Sequence, residues 1–188
     1  LLNLIKKRIQ DEDVLWLIKK IIKSFEKEKD KGLPLGNITS QLFANIYLNE
    51  LDKFIKHQLR IKYYIRYCDD FMMLSTDKDY LIALIPKIQA FFECQLSLSL
   101  HPNKIILKKW HQGIDFLGYV SFSHHRILRA KTKKRMYKKI EQRAQELKQG
   151  KITEKSFDQT IQSYFGILKH CNSYKLRQRL ERYLGKKT

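Results

Sequence analysis

Ile61-Lys62-Tyr63-Tyr64-Ile65-Arg66-Tyr67-Cys68-Asp69-Asp70-Phe71-Met72-Met73-Leu74-Ser75 sets two apolar and aromatic runs on either side of an acidic pair. Both runs have strand length and strand-favouring composition, so the stretch predicts a β-hairpin with Asp69 and Asp70 near its tip. Neighbouring strand residues point to opposite faces, but at a tight turn both can approach one site. Crowding two carboxylates is unfavourable unless a cation compensates, and Mg²⁺ is commonly held by one or two carboxylates with water and substrate phosphates. The alternative is a solvated Asp-Asp turn, since Asp is a frequent turn former.

The pair stands out because the chain around it is basic. Its 188 residues hold 38 Lys and Arg against 19 Asp and Glu, a formal charge of +19. That excess favours a polyanionic partner, nucleic acid before a membrane surface. With 43% hydrophobic residues the chain can bury a core, which excludes a disordered basic tail. Seven glycines and three prolines are too few for an all-β sandwich and favour a helix-rich or mixed fold. No apolar run reaches the roughly 18 residues of a membrane span, and no signal peptide is recognisable. Cys68, Cys94 and Cys171 have neither metal-ligand nor disulfide spacing. A soluble protein of a reducing, cytoplasmic compartment is expected.

Outward from the hairpin, helical spacing dominates. Asp13 is placed to cap a helix carrying Val14, Leu15, Ile18, Ile21, Ile22 and Phe25. A charged loop, Lys27 to Lys31, and a turn-rich element, Gly32 to Asn37, lead to a second helix from Ile38 to Ile55. Beyond the hairpin, Tyr80 to Glu93 reads as helix. Gln95 to Leu100 and Ile105 to Trp110 read as short strands, and Ile114 to Phe122 as a second hairpin. This order predicts an antiparallel sheet with helices on one face.

The chain changes character near Ser121 to Arg129. Residues 124–188 hold 19 Lys and Arg against 5 Asp and Glu, so they carry +14 of the total charge. Met136, Ile140, Ala144 and Leu147 form the apolar stripe of one helix. Phe157, Ile161, Tyr164, Phe165 and Leu168 form that of a second, starting at Thr153, and Leu176, Leu180 and Leu184 that of a third. The division expected is 1–123 for the mixed domain and 124–188 for a basic helical bundle.

Several stretches, in order, resemble the motifs of the reverse transcriptases. Tyr67-Cys68-Asp69-Asp70 is similar to that family's metal-binding turn, and Gly32-Leu33-Pro34-Leu35-Gly36-Asn37-Ile38-Thr39-Ser40-Gln41 to its template and nucleotide motif. Leu98 to Lys104 resembles the following loop, and Gly113-Ile114-Asp115-Phe116-Leu117-Gly118-Tyr119 the primer grip. Ser163 to Gly166 and Lys169 to Tyr174 resemble the thumb of the bacterial, group II intron-like members.

The resemblance implies an α+β polymerase palm followed by an all-α thumb, and RNA-templated DNA synthesis with two Mg²⁺ ions, or Mn²⁺ in their place. Its partners would be an RNA template, a DNA or RNA primer and deoxynucleoside triphosphates. Asp69 and Asp70 would hold the ions, and Lys104 would protonate or neutralise the departing pyrophosphate. Gly32, Pro34, Leu35, Gly36, Ser40 and Gln41 would meet template or nucleotide. Tyr67, Phe116, Leu117 and Gly118 would meet the primer. Each has a plainer alternative: a strand aromatic for Tyr67, core for Phe116 and Leu117, a loop for the glycines, capping for Ser40 and Gln41, a surface charge for Lys104.

Two departures qualify the resemblance. Such polymerases take a further metal-binding Asp from an earlier palm strand. Here Asp11, Glu12 and Asp13 fall at a helix start with no strand before them. Together with a first residue of Leu1, this predicts the rear portion of a longer polymerase, lacking the fingers and inactive alone. The second departure is Leu35-Gly36 with Ser40-Gln41, where many members have Gln-Gly with Ser-Pro. That combination resembles the enzymes of diversity-generating retroelements, which work with a small basic accessory protein. Group II intron maturases, retrons and phage-defence polymerases share the remaining motifs, and an RNA-binding, maturase-like module is the alternative function.

Overall fold

The 61–75 stretch folds as a hairpin in which β1 (Tyr63–Tyr67) runs antiparallel to β2 (Asp70–Leu74). The computed structural model describes residues 1–24 and 38–185. The charged loop and the 32–37 part of the template motif therefore lie outside the described residues. The chain divides into two compact units, Leu1–Ile105 and Ile106–Thr188. The expected palm and thumb division at 123/124 rests instead on the change of composition and charge near Ser121 to Arg129.

In the first unit, α1 (Leu2–Lys6) and α2 (Glu12–Lys23) precede α3 (Ile38–Lys53), which continues into a π-helical turn over Phe54–Gln58. The cap of α2 is Asp11, not Asp13: its carboxylate accepts from the Val14 amide at 2.9 Å, and Glu12 and Asp13 occupy the first turn, where acids complement the helix dipole. After the hairpin, Asp77 caps α4 (Lys78–Leu96) through the Tyr80 amide, and Ser97, at φ 48°, ends it. Leu84, Ile88, Phe92 and Leu96 recur every fourth residue of α4 and are buried against Leu48, Leu51 and Ile55. The hairpin adds Tyr64, Phe71 and Met73 to that core. Because strand side chains alternate, Tyr63, Ile65 and Tyr67 then face outward and are more than half exposed.

The expected strands at 95–100 and 105–110 do not form. Gln95 and Leu96 complete α4, and Pro102–Lys104 is a single 3₁₀ turn. Ile105 to Lys109 has no ladder partner among the described residues, and an apolar run is a strand only where a neighbour takes up its backbone groups.

The second unit opens with β3 (Ile114–Phe116), β4 (Tyr119–Ser121) and β5 (Arg126–Leu128), an antiparallel sheet in that order. Three helices follow: α5 (Ala130–Lys148), α6 (Glu154–Leu168), capped by Thr153 as predicted, and α7 (Tyr174–Gly185). Met136, Ile140, Phe157, Ile161, Leu168 and Leu180 form their core with Leu128 of β5. Burying each such side chain contributes about 1.5–3 kcal/mol. Tyr119 donates its hydroxyl to the Ile167 carbonyl at 2.9 Å, and the Asn172 amide donates to the Arg126 carbonyl at 2.7 Å, tying sheet to bundle. The fold class is α+β, with its strands in two small antiparallel sheets among the described residues. No helix among these residues is long and apolar enough to cross a membrane.

Candidate active site

The acids sit where the hairpin ladder ends. Tyr67 pairs with Asp70, leaving Cys68 and Asp69 as a two-residue turn. Two-residue hairpins favour positive φ at the loop, normally supplied by Gly or Asn. Cys68 occupies φ 53° instead. Such backbone costs about 1–3 kcal/mol and persists where surrounding contacts hold it. Asp69 and Asp70 are both exposed, and neither carboxylate has a hydrogen-bond or ion-pair partner among the described residues.

What holds the turn is Arg66. Position 66 lies on the inward face of β1, beside Tyr64, and its side chain is only 10% exposed, so its charge needs partners. Its Nε and Nη2 donate to Asp52 Oδ1 and Oδ2 at 2.8 and 2.5 Å, a two-pronged pair with α3. Its Nη1 donates to Asn45 Oδ1 at 3.0 Å and to the Cys68 carbonyl at 2.8 Å. Tyr64 donates its hydroxyl to the same Asp52 Oδ1 at 2.7 Å. Asn45 and Asp52 are two helical turns apart and so share one face of α3. Burial by itself would raise the Asp52 pKa, but the hydrogen bonds from Arg66 and Tyr64, with the Arg66 charge, hold it below the ordinary carboxylate value. Burial first, then the bond to Asp52, raises Tyr64 well above the usual phenol range.

Sequence reading had not singled out Asn45, Asp52 or Arg66. Period two could not have found them: it sets Arg66 opposite the more apolar Tyr63, Ile65 and Tyr67, so Arg66 reads as solvent-facing, whereas the fold exposes those three and buries the guanidinium. Which acceptor answers it is decided by chain separations of 14 and 21 residues.

Of the other predicted site residues, Ser40 and Gln41 lie in the first turn of α3, Ser40 half-buried and Gln41 exposed. Lys104 is exposed at the end of the 3₁₀ turn, its amide bonded to the His101 carbonyl at 2.9 Å. In the second unit, Phe116 ends β3, while Leu117 at φ 52° and Gly118 at φ 86° form the turn into β4. Leu117 is 42% exposed at its tip, so its side chain is not core, whereas Phe116 is half-buried. The Gly118 carbonyl accepts from the Arg129 amide at 3.0 Å, setting the start of α5.

A family model described as reverse transcriptase (RNA-dependent DNA polymerase) matches residues 4–121. The chain belongs to the reverse transcriptase family. It is also similar to the COX1/OXI3 intron 2 protein of Saccharomyces cerevisiae, at 20% identity, over 63% of this chain and 21% of that protein. The chain thus spans about a fifth of that relative's length.

For a reverse transcriptase, Asp69 and Asp70 are a suitable donor set for a hard divalent cation. They are paired, exposed carboxylates with no protein cation opposing them among the described residues, on a turn held from behind. Mg²⁺ accepts such partial sites, taking its remaining oxygens from water and phosphate. Among the described residues no group of three or more His, Cys, Asp or Glu converges, so the pair would act with oxygens from elsewhere. Helix α5 of this reverse transcriptase chain presents a dense set of basic side chains: Lys131, Lys133, Lys134, Arg135, Lys138 and Lys139 are all exposed.

Proposed function

We propose that the chain is the palm, residues 1–123, and thumb, residues 124–188, of a polymerase that synthesises DNA on an RNA template. The observation that carries this is the pair of exposed carboxylates on the Tyr67-Cys68-Asp69-Asp70 turn, unpartnered among the described residues and within a matched reverse transcriptase region. Asp69 and Asp70 hold two Mg²⁺ ions, for which Mn²⁺ can substitute. When bound, the ions supply the charge that activates a primer 3′-hydroxyl and stabilises the displaced pyrophosphate. Tyr67 offers its outward ring to the primer end, and the Phe116-Leu117-Gly118 turn offers exposed backbone to the primer strand. Lys104 is placed on an exposed turn from which its Nζ gives a proton or a charge to pyrophosphate. Ser40 and Gln41, in the first turn of α3, together with Gly32, Pro34, Leu35 and Gly36, serve template and nucleotide. The α5 cations track duplex phosphates without regard to sequence.

The test is Asp69→Ala in a complete polymerase containing this chain. DNA synthesis on a primed RNA is expected to disappear while RNA binding stays near its starting level. Synthesis that survives would remove the metal-site assignment and favour the RNA-binding, maturase-like reading. The Leu35-Gly36 and Ser40-Gln41 combination supports a second, finer reading, a diversity-generating retroelement enzyme with a small basic accessory protein. A missing Gln side chain near the templating pair would relax base discrimination, because an unmade hydrogen bond removes a penalty for mispairing. Frequent misincorporation opposite template adenine is the result expected.

A further inference from the structure

We infer that Arg66 is the positioning residue of the acidic turn: anchored by Asp52 and Asn45 on α3, its guanidinium holds the Cys68 carbonyl and so sets where Asp69 and Asp70 present their carboxylates. The inference rests on the proposed role of those two acids as metal ligands.

The geometry separates this role from simple support of the hairpin. The hairpin is already fastened to the core by Tyr64, Phe71 and Met73, with the Phe71 and Phe92 ring centroids 6.2 Å apart. Those contacts reach the strands, whereas the ladder closes at Tyr67 and Asp70 and leaves Cys68 and Asp69 beyond it. The Arg66 Nη1 bond to the Cys68 carbonyl, at 2.8 Å, is the side-chain hydrogen bond that reaches this turn among the described residues. That carbonyl belongs to the planar peptide joining Cys68 to Asp69, so fixing its oxygen fixes the direction in which the chain enters Asp69. It also holds Cys68 at the positive φ that a side-chain-bearing residue otherwise avoids.

The guanidinium is suited to this task. Its Nε, Nη1 and Nη2 are all engaged, by both Asp52 oxygens, by Asn45 and by the turn. Its plane is therefore held from α3 before it reaches the carbonyl. A Lys ammonium would keep the charge but could not span these acceptors in one plane. Groups behind a metal's own ligands characteristically alter affinity by about 10–100-fold when removed.

The test uses the purified 188-residue chain and Mn²⁺ alone, with Mn²⁺ affinity read by electron paramagnetic resonance and the Asp69 and Asp70 amides by hydrogen exchange. Asp69→Ala is expected to remove the Mn²⁺ site. Arg66→Gln is expected to weaken Mn²⁺ by about 10–100-fold and to speed exchange at the two amides, with α4 amides unchanged. Arg66→Lys should recover little of either. Should Arg66→Gln lose its helical circular dichroism, Asn45→Ala replaces it, and a smaller weakening at an unchanged melting temperature is expected. Wild-type affinity and exchange in the folded Arg66 variants, or in Asn45→Ala where it stands in, would overturn the positioning role while leaving the metal site intact. A lowered melting temperature with unchanged affinity would also overturn it, since that is the mark of a fold brace. Unaltered Mn²⁺ binding in Asp69→Ala would overturn the metal-ligand reading itself, and the positioning role with it.

Discussion

Arg66 on β1 and Asp52 on α3 meet through two hydrogen bonds, at 2.8 and 2.5 Å, although 14 residues separate them in the chain. The pair fastens the inner face of the hairpin to a helix that also contributes Leu48 and Leu51 to the core. Removing one partner leaves the other charge uncompensated at a mostly buried site. Asp52→Ala is therefore expected to destabilise the first unit by about 2–3 kcal/mol, less than the roughly 3–5 kcal/mol of a fully buried pair because Asp52 keeps some solvent exposure. Urea unfolding of the two chains measures the difference, and a change below about 0.5 kcal/mol, the range of an ordinary surface substitution, would show the pair to be inconsequential.

The same pair makes stability depend on pH. Asp52 has a folded pKa below its ordinary value of 3.8. Its contribution is present in full above the unfolded value and is lost as pH falls through the folded one. Tyr64 is shifted upward from 10.0, so its contribution is full below that value and is lost as pH rises beyond it. Unfolding free energy should hold steady between these limits and decline outside them. In Asp52→Asn the acid-side decline should flatten; an unchanged acid limb in that variant would assign the decline to other carboxylates.

In the second unit, Gly113 has φ 78°, and a Cβ there would stand 2.7 Å from both the Phe122 ring and the Val120 side chain. Backbone and space both demand glycine. Gly118, at φ 86°, has only Thr132 Oγ1 within reach, at 3.7 Å, so its substitution meets conformational strain alone. Gly113→Ala should lower stability by more than the roughly 1 kcal/mol expected of Gly118→Ala. Equal losses in thermal unfolding would mean that the Phe122 ring yields freely.

The exposed cations of α5 predict binding that is electrostatic and sequence-independent. Replacing Lys131, Lys134 and Lys138 by Ala should weaken binding to an RNA–DNA duplex about equally for all sequences. The dependence of log affinity on log salt should shallow by about one for each phosphate no longer neutralised. A filter-binding salt titration measures both, and an unaltered slope would place the duplex elsewhere.

Much of this arrangement was legible without coordinates, and the reason is locality. Helices α3 to α7 follow from apolar spacing that repeats within each segment, and the first hairpin from two strand-favouring apolar and aromatic runs on either side of Asp69-Asp70. The acidic turn was identifiable because its residues are consecutive. Local pattern failed where pairing decides: Ile105 to Lys109 has strand-like residues but no ladder among the described residues, while Arg126 to Leu128, too short to show alternation, is a strand because β4 accepts it.

By itself, then, the sequence determined the helices, the hairpin, the placing of two acids at its tip and the concentration of positive charge after residue 123. What stands behind those acids comes from packing between segments far apart in the chain. Asn45 and Asp52 lie on a different element from Arg66, and no periodicity links them to it. They meet because packing α3, β1 and β2 around Leu51, Ile55 and Ile88 buries a guanidinium, and a buried charge must find acceptors in whatever the fold brings near it.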